Sequence, residues 1–356
     1  MPAISVIMPA FNAERFVAES VESVLSQTFK DFELVVVNDG SRDRTAEILD
    51  RYRDRRIVRI DHKDNKGLAR TLNNGLEAAK GEFIARLDSD DIALPTRLEK
   101  QLQLISKEQN TVIVGSNCEQ IDETGTYIRT WHYPLYDTDI RWHTLFHCSF
   151  VHSSVMFRTA ILRSNGLNYD VNAVCAQDYE LWSRLLSYGR AANLRQPLVK
   201  YRTHTRQISQ QRLREQNKVR DRVSRMNLKR RGVANDASEG DLSILRKWVM
   251  QGPRINDTHD IELGRVLLRI LDDFAGCSDV DAKAARDLRR TWVKRLLEAA
   301  SARQVPALVT SGLLGDVLLR DSLSVLEHGS MRAARRVRRA LGMSFEDGST
   351  RQPPTG

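Results

Sequence analysis

The alternation of strand and helix patterns over the first 110 residues restricts the fold of this chain more than any other feature. Short apolar runs such as "ISVIMPA" (4–10) and "FELVVVN" (32–38) have the length of buried strands. Between such runs, apolar residues recur at helical spacing, as Leu68, Leu72 and Leu76 do. A strand–helix–strand–helix order predicts a parallel sheet with helices on both faces. We therefore predict an α/β fold with a Rossmann-like, mostly parallel sheet and flanking helices.

The later part of the chain changes character twice. Residues 111–212 mix strand and helix patterns, and after them arginine-rich helical segments replace the strands. We predict a first domain over residues 1–212, a basic helical C-terminal region over 213–345 and a disordered tail over 346–356. A length of 356 residues is consistent with two domains.

Polar residues follow the ends of three predicted strands. Phe11 and Asn12 follow the first strand, Asp39 follows the second, and Asp88 and Asp90 follow the fourth. In sheets of this kind, ligands bind beyond the carboxyl ends of the strands. The sequence thus predicts that these residues gather at one edge of the sheet, in a ligand site.

The segment Asp88-Ser89-Asp90 has two interpretations. Its carboxylates can hold a divalent cation that bridges the oxygens of a diphosphate. Alternatively, the acids end the strand in solvent and cap the following helix. Asp91 and Pro95 are expected to begin that helix.

Three further side chains also have a structural and a functional interpretation. Asp39 either accepts a hydrogen bond from a nucleobase or belongs to a turn in which Asp39 or Ser41 caps the next helix. Asp178, in "CAQDYELWSRLL", is either a first-turn acid favoured by the helix dipole or a general base. His204 is either a surface histidine or a metal ligand.

Several segments occur in an order that resembles the family 2 glycosyltransferases with a GT-A fold, especially those acting on bacterial surface polysaccharides. The segments are "SVIMPAFNAERFVAESVESVLSQTF", "VVVNDGSRDRT", "NKGLARTLNNGLEAAKGEFIARLDSDDIALPTRLEKQ", "HSSVMFR", "AQDYELWSRLL" and "YRTHTRQIS". The resemblance covers about residues 4–212. It implies an inverting enzyme that moves a sugar from a nucleotide-diphosphate sugar, UDP-linked by family frequency, to a hydroxyl acceptor in cell-surface polysaccharide or glycolipid biosynthesis.

The resemblance also implies roles for individual residues. Asp39 would contact the nucleobase, Gly67 would let the backbone approach the donor, and Asp88 would face the ribose. The full set that would bind the nucleotide-sugar is Pro9, Ala10, Phe11, Asp39, Gly67 and Asp88. Lys66 or Arg70 would offset diphosphate charge.

The same resemblance implies a divalent metal cofactor, Mn²⁺ or Mg²⁺, with Asp90 and His204 as its ligands. Asp178 matches the acid of the family's "ED" motif and would be the catalytic base. Gln177 replaces the glutamate that usually precedes this acid. Because that glutamate is not the base, the departure leaves the assignment of Asp178 in place.

Charge and cysteine usage suggest where the protein acts. The net charge is +9, and "SMRAARRVRRALGM" (330–343) predicts a basic amphipathic helix that either lies on an anionic membrane or packs with a solvated basic face. No aromatic residues interleave with its arginines, so we expect no nucleic-acid partner. The N-terminus lacks a signal-peptide pattern, and the four scattered cysteines lack metal or disulfide spacing. We therefore expect a cytoplasmic protein, with peripheral contact to the inner membrane face if that helix lies on the membrane. The resemblance implies a glycan or lipid-linked acceptor.

Two rival functions stay open at the level of sequence. A sugar nucleotidyltransferase would need a glycine- and basic-rich loop after the first strand, and "PAFNAERF" is not such a loop. A non-catalytic nucleotide-sugar binding module would have lost the base or the paired acids, and both are present.

Overall fold

The computed structural model divides into two compact units, Met1–Asn227 and Leu228–Gly356. It describes residues 1–173, 175–205, 207, 213–233 and 238–300. The domain boundary predicted after residue 212 stays a prediction. The predicted basic helix in 330–343 and the predicted tail at 346–356 lie outside the described residues.

The first unit begins with alternating strands and helices, as the apolar runs predict. In chain order these are β1 (Ile4–Ala10), α1 (Val17–Leu25), β2 (Phe32–Asn38), α2 (Thr45–Leu49), β3 (Ile57–Asp61), α3 (Leu68–Ala78), β4 (Phe83–Arg86), β5 (Ile92–Ala93) and α4 (Arg97–Lys107). Strands β1 to β4 run parallel in the order β3-β2-β1-β4. Every residue of β1, β2 and β4 is buried, as expected for strands covered on both faces.

The second half of the sheet is mixed. Its elements are β6 (Thr111–Ile121), β7 (Tyr127–Trp131), α5 (Asp137–Thr144), a 3₁₀ turn (His152–Ser154), β8 (Met156–Arg158), α6 (Thr159–Ser164), α7 (Gln177–Leu185), a second 3₁₀ turn (Leu186–Tyr188) and β9 (Arg190–Arg202). The whole sheet has the order β3-β2-β1-β4-β8-β6-β9-β5, with β7 paired to β6.

The α/β class is confirmed, but the sheet is parallel mainly in its first half. Strand β8 runs antiparallel to both β4 and β6, whereas β9 is parallel to β6. A short connection over residues 122–126 joins β6 to β7, so this pair is antiparallel. The regular strand–helix alternation that predicts parallel strands ends near residue 110, which is why the prediction does not extend to the later strands.

Two apolar layers cover the faces of the sheet. Alternate residues of β1 point to opposite faces, so Val6 and Met8 pack with α1 and α4, whereas Ile7 packs with α3 and α7. Trp182 of α7 is among the largest fully buried side chains. These layers hold the carboxyl ends of β1, β2 and β4 at one edge.

The regular elements among the described residues after β9 are all helices, which confirms the predicted helical C-terminal region in that range. These helices are α8 (Leu213–Arg230), α9 (Glu239–Gln251), α10 (Thr258–Ala275) and α11 (Ala282–Ala299). Ser238, Asp257 and Asp281 accept backbone hydrogen bonds as N-caps of the last three. Among the described residues, no helix has the length and apolar character that crossing a membrane requires.

Candidate active site

The loop after β1 lies at the carboxyl edge of the sheet. Pro9 and Ala10 are the last residues of β1, and Phe11, which follows them, is 47% exposed. Asn12 has a left-handed backbone with φ 49°, and its N–H donates to Ser41 Oγ at 3.0 Å. The loops after β1 and β2 are therefore tied together, with the Phe11 ring left accessible to a ligand.

Asp39 is buried and organises the loop before α3. Its carboxylate accepts hydrogen bonds from the backbone N–H groups of Lys66 (2.8 Å) and Gly67 (3.0 Å) and lies 2.7 Å from His62 Nδ1. Burial alone would raise the pKa of Asp39, but these hydrogen bonds lower it below its ordinary value. The alternative that Asp39 caps the next helix is wrong. Its contact with a nucleobase stays a prediction.

Gly67 gives the start of α3 its backbone geometry. Its φ of 88° lies where glycine is favoured, and an added Cβ would meet no atom within 4 Å. Toward the rest of the protein the need for glycine here is therefore conformational, and its role in letting the donor approach stays a prediction. Lys66 and Arg70 are exposed beside this helix N-terminus, where the helix dipole favours an anion.

Three carboxyl groups converge after β4. Asp88, Asp90 and Asp91 each place a carboxylate oxygen within 4.8 Å of the other two. Asp88 is bonded by the Arg86 guanidinium and by the Ser153 hydroxyl, which donates at 3.0 Å. Burial alone would raise the pKa of Asp88, but the neighbouring Arg86 charge lowers it. Asp88 is thus a charged, oriented acid at the edge of the sheet.

Asp90 and His204 meet although 114 residues separate them in the chain. His204 Nε2 lies 3.0 Å from Asp90 Oδ2, and the His204 side chain is 11% exposed. The alternative that His204 is a surface histidine is therefore wrong. The imidazole also packs against the Phe16 ring, with centroids 5.2 Å apart.

Asp91 does not begin a helix, contrary to the prediction. It is fully buried directly before β5, and its Oδ1 accepts a hydrogen bond from the backbone N–H of Arg202 at 2.8 Å. Burial, together with the charges of Asp90 and Asp88, raises the pKa of Asp91 well above its ordinary value. Helix α4 starts later, and its N-cap Thr96 makes no side-chain capping bond. The alternative that these acids cap the helix is therefore wrong.

The convergent acids and the imidazole suit the divalent metal that the resemblance implies. Carboxylate oxygens are the preferred ligands of Mg²⁺ and Mn²⁺, and imidazole is also a ligand for several divalent ions. Asp88 already has Arg86 and Ser153 as partners, whereas Asp90 and His204 bond to each other through their side chains. Asp90 and His204 are therefore the pair that could hold a cation here.

Asp178 lies in the first turn of α7 and is partly buried. Its Oδ2 is 3.9 Å from Cys148 Sγ. Ala176, directly before the helix, has a left-handed φ of 53°, an unusual conformation for alanine that recurs at functional sites. Glu180 lies in the same first turn, and the Arg184 guanidinium donates to both of its carboxylate oxygens at 2.7 Å. Glu180 is thus held in an ion pair, and the role of Asp178 as the base stays a prediction.

The prediction from sequence missed His152 and its partner Tyr169. His152 Nε2 lies 3.0 Å from the Tyr169 hydroxyl. Burial, with a smaller contribution from Arg86, lowers the pKa of His152 to about 4, against the opposing charges of Asp178 and Asp88. The neutral imidazole of His152 therefore lies close enough to Asp178 and Asp88 for their charges to act on it. The histidine of "HSSVMFR" and the charged Arg86 inside an apolar strand are the signals that could have identified these residues.

A sequence comparison assigns this chain to a family. The family model described as "Glycosyl transferase family 2" matches residues 5–165. A Haemophilus influenzae protein named "Uncharacterized glycosyltransferase" is 35% identical over 237 residues, which cover 64% of this chain and 73% of that protein. The "Putative glycosyltransferase EpsE" of Bacillus subtilis is 36% identical over 206 residues, covering 56% of this chain and 73% of its own.

Solved structures show a similar fold at low sequence identity. S. aureus TarS 1-349 in complex with UDP-GlcNAc has a TM-score of 0.53 and 19% identity, over 96% of this chain and 93% of that one. The mannosyltransferase PcManGT from Pyrobaculum calidifontis, in complex with GDP-Man and Mn²⁺, has a TM-score of 0.51 and 17% identity, over 82% and 83%. This chain belongs to glycosyl transferase family 2, and it is a glycosyltransferase with a GT-A fold.

Proposed function

We propose that this glycosyltransferase moves a sugar from a UDP-linked donor to a hydroxyl group of a glycan or lipid-linked acceptor in cell-surface polysaccharide or glycolipid synthesis. The observation that carries the proposal is the convergence of three acids, Asp88, Asp90 and Asp91, with the imidazole of His204 bonded to Asp90. The complexes of TarS with UDP and UDP-GlcNAc support a uridine nucleotide. The motif order supports the acceptor class.

The carboxyl edge of β1 and β2 would bind the nucleotide. The accessible Phe11 ring, with Pro9 and Ala10 below it, offers an apolar surface for the base. Asp39 would accept a hydrogen bond from the base, and Asp88 would face the ribose. Gly67 would let the diphosphate approach the start of α3, beside the exposed cations Lys66 and Arg70. In this arrangement the donor would lie across the ends of the parallel strands.

Asp90 and His204 would hold Mn²⁺ or Mg²⁺. A bound cation would supply positive charge that stabilises the departing diphosphate. The solved PcManGT complex contains Mn²⁺, which supports this choice of ion. The Asp90 carboxylate and the His204 imidazole, which are 3.0 Å apart, would be the side chains that hold the ion.

Asp178 would act as the general base. As the acceptor hydroxyl oxygen forms a bond to the anomeric carbon of the donor, Asp178 takes the hydroxyl proton. The bond between that carbon and the diphosphate oxygen breaks, and the diphosphate leaves with the electron pair. One displacement on the face opposite the leaving group inverts the configuration at the sugar carbon.

A thermal-shift panel with UDP-, GDP- and dTDP-sugars, each with Mn²⁺, Mg²⁺ or a chelator, tests the proposal. A ligand at about 100 times its dissociation constant adds about 2.7 kcal/mol to the free energy of unfolding. We expect the largest stabilisation from a UDP-sugar with metal, and loss of the metal-dependent part in Asp90→Ala. Stronger stabilisation by GDP- or dTDP-sugars would contradict the uridine assignment. Unchanged metal dependence in Asp90→Ala would contradict the metal assignment.

The family assignment favours a glycosyltransferase over both rival functions, and one experiment tests each rival. A sugar nucleotidyltransferase would form a UDP-sugar from UTP and a sugar 1-phosphate, so incubation with these two substrates serves as a negative control. Slow, metal-dependent release of UDP from the preferred donor separates an enzyme from a binding module. NMR of the product shows the anomeric configuration of the transferred sugar. Retention of the donor's configuration would contradict the proposed single displacement.

A further inference from the structure

Arg202, the last residue of β9, contacts three separate segments around the acidic cluster. Its side chain is only 3% exposed. Nε donates to the carbonyl oxygen of Asp90 at 2.9 Å, and Nη1 donates to the carbonyl of Glu123 at 3.2 Å. Nη2 forms an ion pair with Glu19 of α1. One guanidinium therefore joins the loop after β4, the β6–β7 connection and helix α1.

The backbone of Arg202 adds two further bonds at the same place. Its N–H donates to Asp91 Oδ1 at 2.8 Å, and its carbonyl oxygen accepts a hydrogen bond from the Gln207 side chain. The first bond joins β9 to the segment between Asp90 and β5. Asp90 and Asp91 are thus both bonded to Arg202, one through its side chain and the other through its backbone.

Arg202, Asp90, His204 and Phe16 form a closed ring of contacts. The Arg202 guanidinium contacts Asp90 through its carbonyl, and Asp90 contacts His204 through its carboxylate. The His204 ring packs on Phe16, with centroids 5.2 Å apart, and the Arg202 guanidinium lies 4.7 Å from the Phe16 ring centroid. Both residues assigned to the metal are therefore positioned by contacts that end on one arginine.

The geometry of arginine suits this position better than that of lysine. Guanidinium is planar and offers five N–H donors in fixed directions, whereas ammonium offers three donors on a flexible stem. A lysine at residue 202 would keep the positive charge beside Glu19 but could not also bond Asp90 and Glu123. Arg202→Lys therefore separates the loss of positioning from the loss of charge.

We propose that Arg202 is a positioning residue for metal binding, which holds the Asp90 loop and His204 in the arrangement that a divalent cation needs. The proposal rests on the proposed function, because it takes Asp90 and His204 as the metal ligands. Residues that orient metal ligands without touching the ion typically contribute about 10–100-fold to metal affinity. Arg202 has this relation to both ligands, since it bonds the backbone of Asp90 and shares the Phe16 ring with His204.

The test measures Mn²⁺ binding by titration calorimetry in the presence of saturating UDP or GDP, for the wild-type chain and for Arg202→Lys. We expect the variant to bind Mn²⁺ about 10–100-fold more weakly. In the transfer assay, the Mn²⁺ concentration for half-maximal rate should rise by a similar factor, while kcat at saturating Mn²⁺ changes only a few-fold. A generally misfolded protein would instead lose kcat without this shift.

Arg141→Lys is the matched control. Arg141 is also buried, forms an ion pair with Asp137 and donates to the carbonyl of Leu186 at 2.9 Å. This variant should lower the melting temperature but keep the wild-type affinity for Mn²⁺. Glu19→Gln is a second test, because Glu19 is largely exposed and the variant keeps Arg202 itself. It should weaken Mn²⁺ binding in the same direction as Arg202→Lys, by a smaller factor.

Several outcomes would overturn the proposal. Equal Mn²⁺ affinity in wild type and folded Arg202→Lys would remove the positioning role while leaving the metal assignment in place. Equal weakening by Arg141→Lys would show a general effect of buried arginines. If Arg202→Lys does not fold, an unchanged affinity in Glu19→Gln overturns the proposal. Failure of the wild-type chain to bind Mn²⁺ with either nucleotide would overturn the metal assignment and this proposal together.

Discussion

Single residues in this site differ in role because their immediate neighbours differ. Asp88 is charged and bonded to Arg86 and Ser153, whereas Asp91 is buried beside two other acids, which raises its pKa. Asp178 shares the first turn of α7 with Glu180, but Arg184 holds Glu180 in a two-point ion pair. Three aspartates thus have three roles. Asp88 is an oriented acid, Asp91 is a buried acceptor of a backbone N–H, and Asp178 is the proposed base.

Asp178→Asn tests the base directly, because asparagine keeps the size of the side chain and removes its basicity. We expect donor binding close to wild type and a transfer rate lower by about 10²–10⁴-fold, the usual contribution of a general base. Steady-state kinetics with the preferred donor measure the effect. Asp170→Asn is the control and should stay within a few-fold of wild type. If the Asp170 variant shows the larger loss, the base is Asp170.

Individual elements bring these residues to one edge of the sheet. Strands β1 and β2 end side by side, and the loop before α3 is held to the end of β2 by the bonds that Asp39 accepts. Strand β5 has two residues, yet its antiparallel pairing with β9 places Arg202 and His204 next to the acids. Short elements therefore determine the site geometry as much as long ones do.

Gly67→Ala tests the start of α3. Alanine at φ 88° is strained, so we expect the variant to lose about 1–3 kcal/mol of unfolding free energy and to bind the donor more weakly. Gly232→Ala is the matched control, since Gly232 also has a positive φ of 64° and open space around it. It should lose stability without a change in donor affinity. Denaturant unfolding and donor titration measure the two effects, and equal donor affinities in both variants would contradict the role of Gly67.

Acid should destabilise the region around α5 through His143. Burial lowers the pKa of His143 to about 3, whereas an unfolded histidine has a pKa near 6.5. Below pH 6.5 the unfolded state binds a proton that the folded state does not, so the free energy of unfolding falls as pH falls. Between pH 7 and pH 5 the loss from this residue is about 2 kcal/mol.

Urea unfolding of wild type and His143→Gln at pH 7 and pH 5 measures this contribution. The stability difference between the two pH values should be smaller in the variant by about that amount. His259→Gln is the control, because His259 is exposed and pairs with Asp241 near the surface. A His143 variant with the same pH dependence as wild type would show that this histidine is not held neutral in the folded state.

At the scale of the whole molecule, the net charge of +9 suggests attraction to anionic surfaces. We expect the full chain to co-sediment with phosphatidylglycerol vesicles and to be released by salt. Replacement of Arg332, Arg335, Arg336, Arg338 and Arg339 by glutamine should weaken pelleting, because each basic residue near such a surface contributes roughly 1 kcal/mol. Equal pelleting of wild type and this variant, or pelleting that does not depend on salt, would contradict a role of residues 330–343 in membrane contact.

The local sequence pattern determines the first half of the sheet and the order of the motifs. Apolar runs of strand length, helical spacing in Leu68, Leu72 and Leu76, and the polar ends of the strands can all be identified within short windows. They predict β1 to β4, the helices between them and the edge where Asp88 and Asp90 lie. Hydrophobic periodicity carries this information because it reports which face of a local element is buried.

Only the tertiary structure decides which distant side chains meet. Asp91 resembles a helix start in the sequence, yet it is buried against the backbone of Arg202, which follows it by 111 residues. The bond between Asp90 and His204, and the ring that Arg202 completes, depend on β9 lying between β6 and β5 in the sheet. Strand order is set by packing of the whole unit, and no local period encodes it, so these contacts could not be predicted from sequence windows.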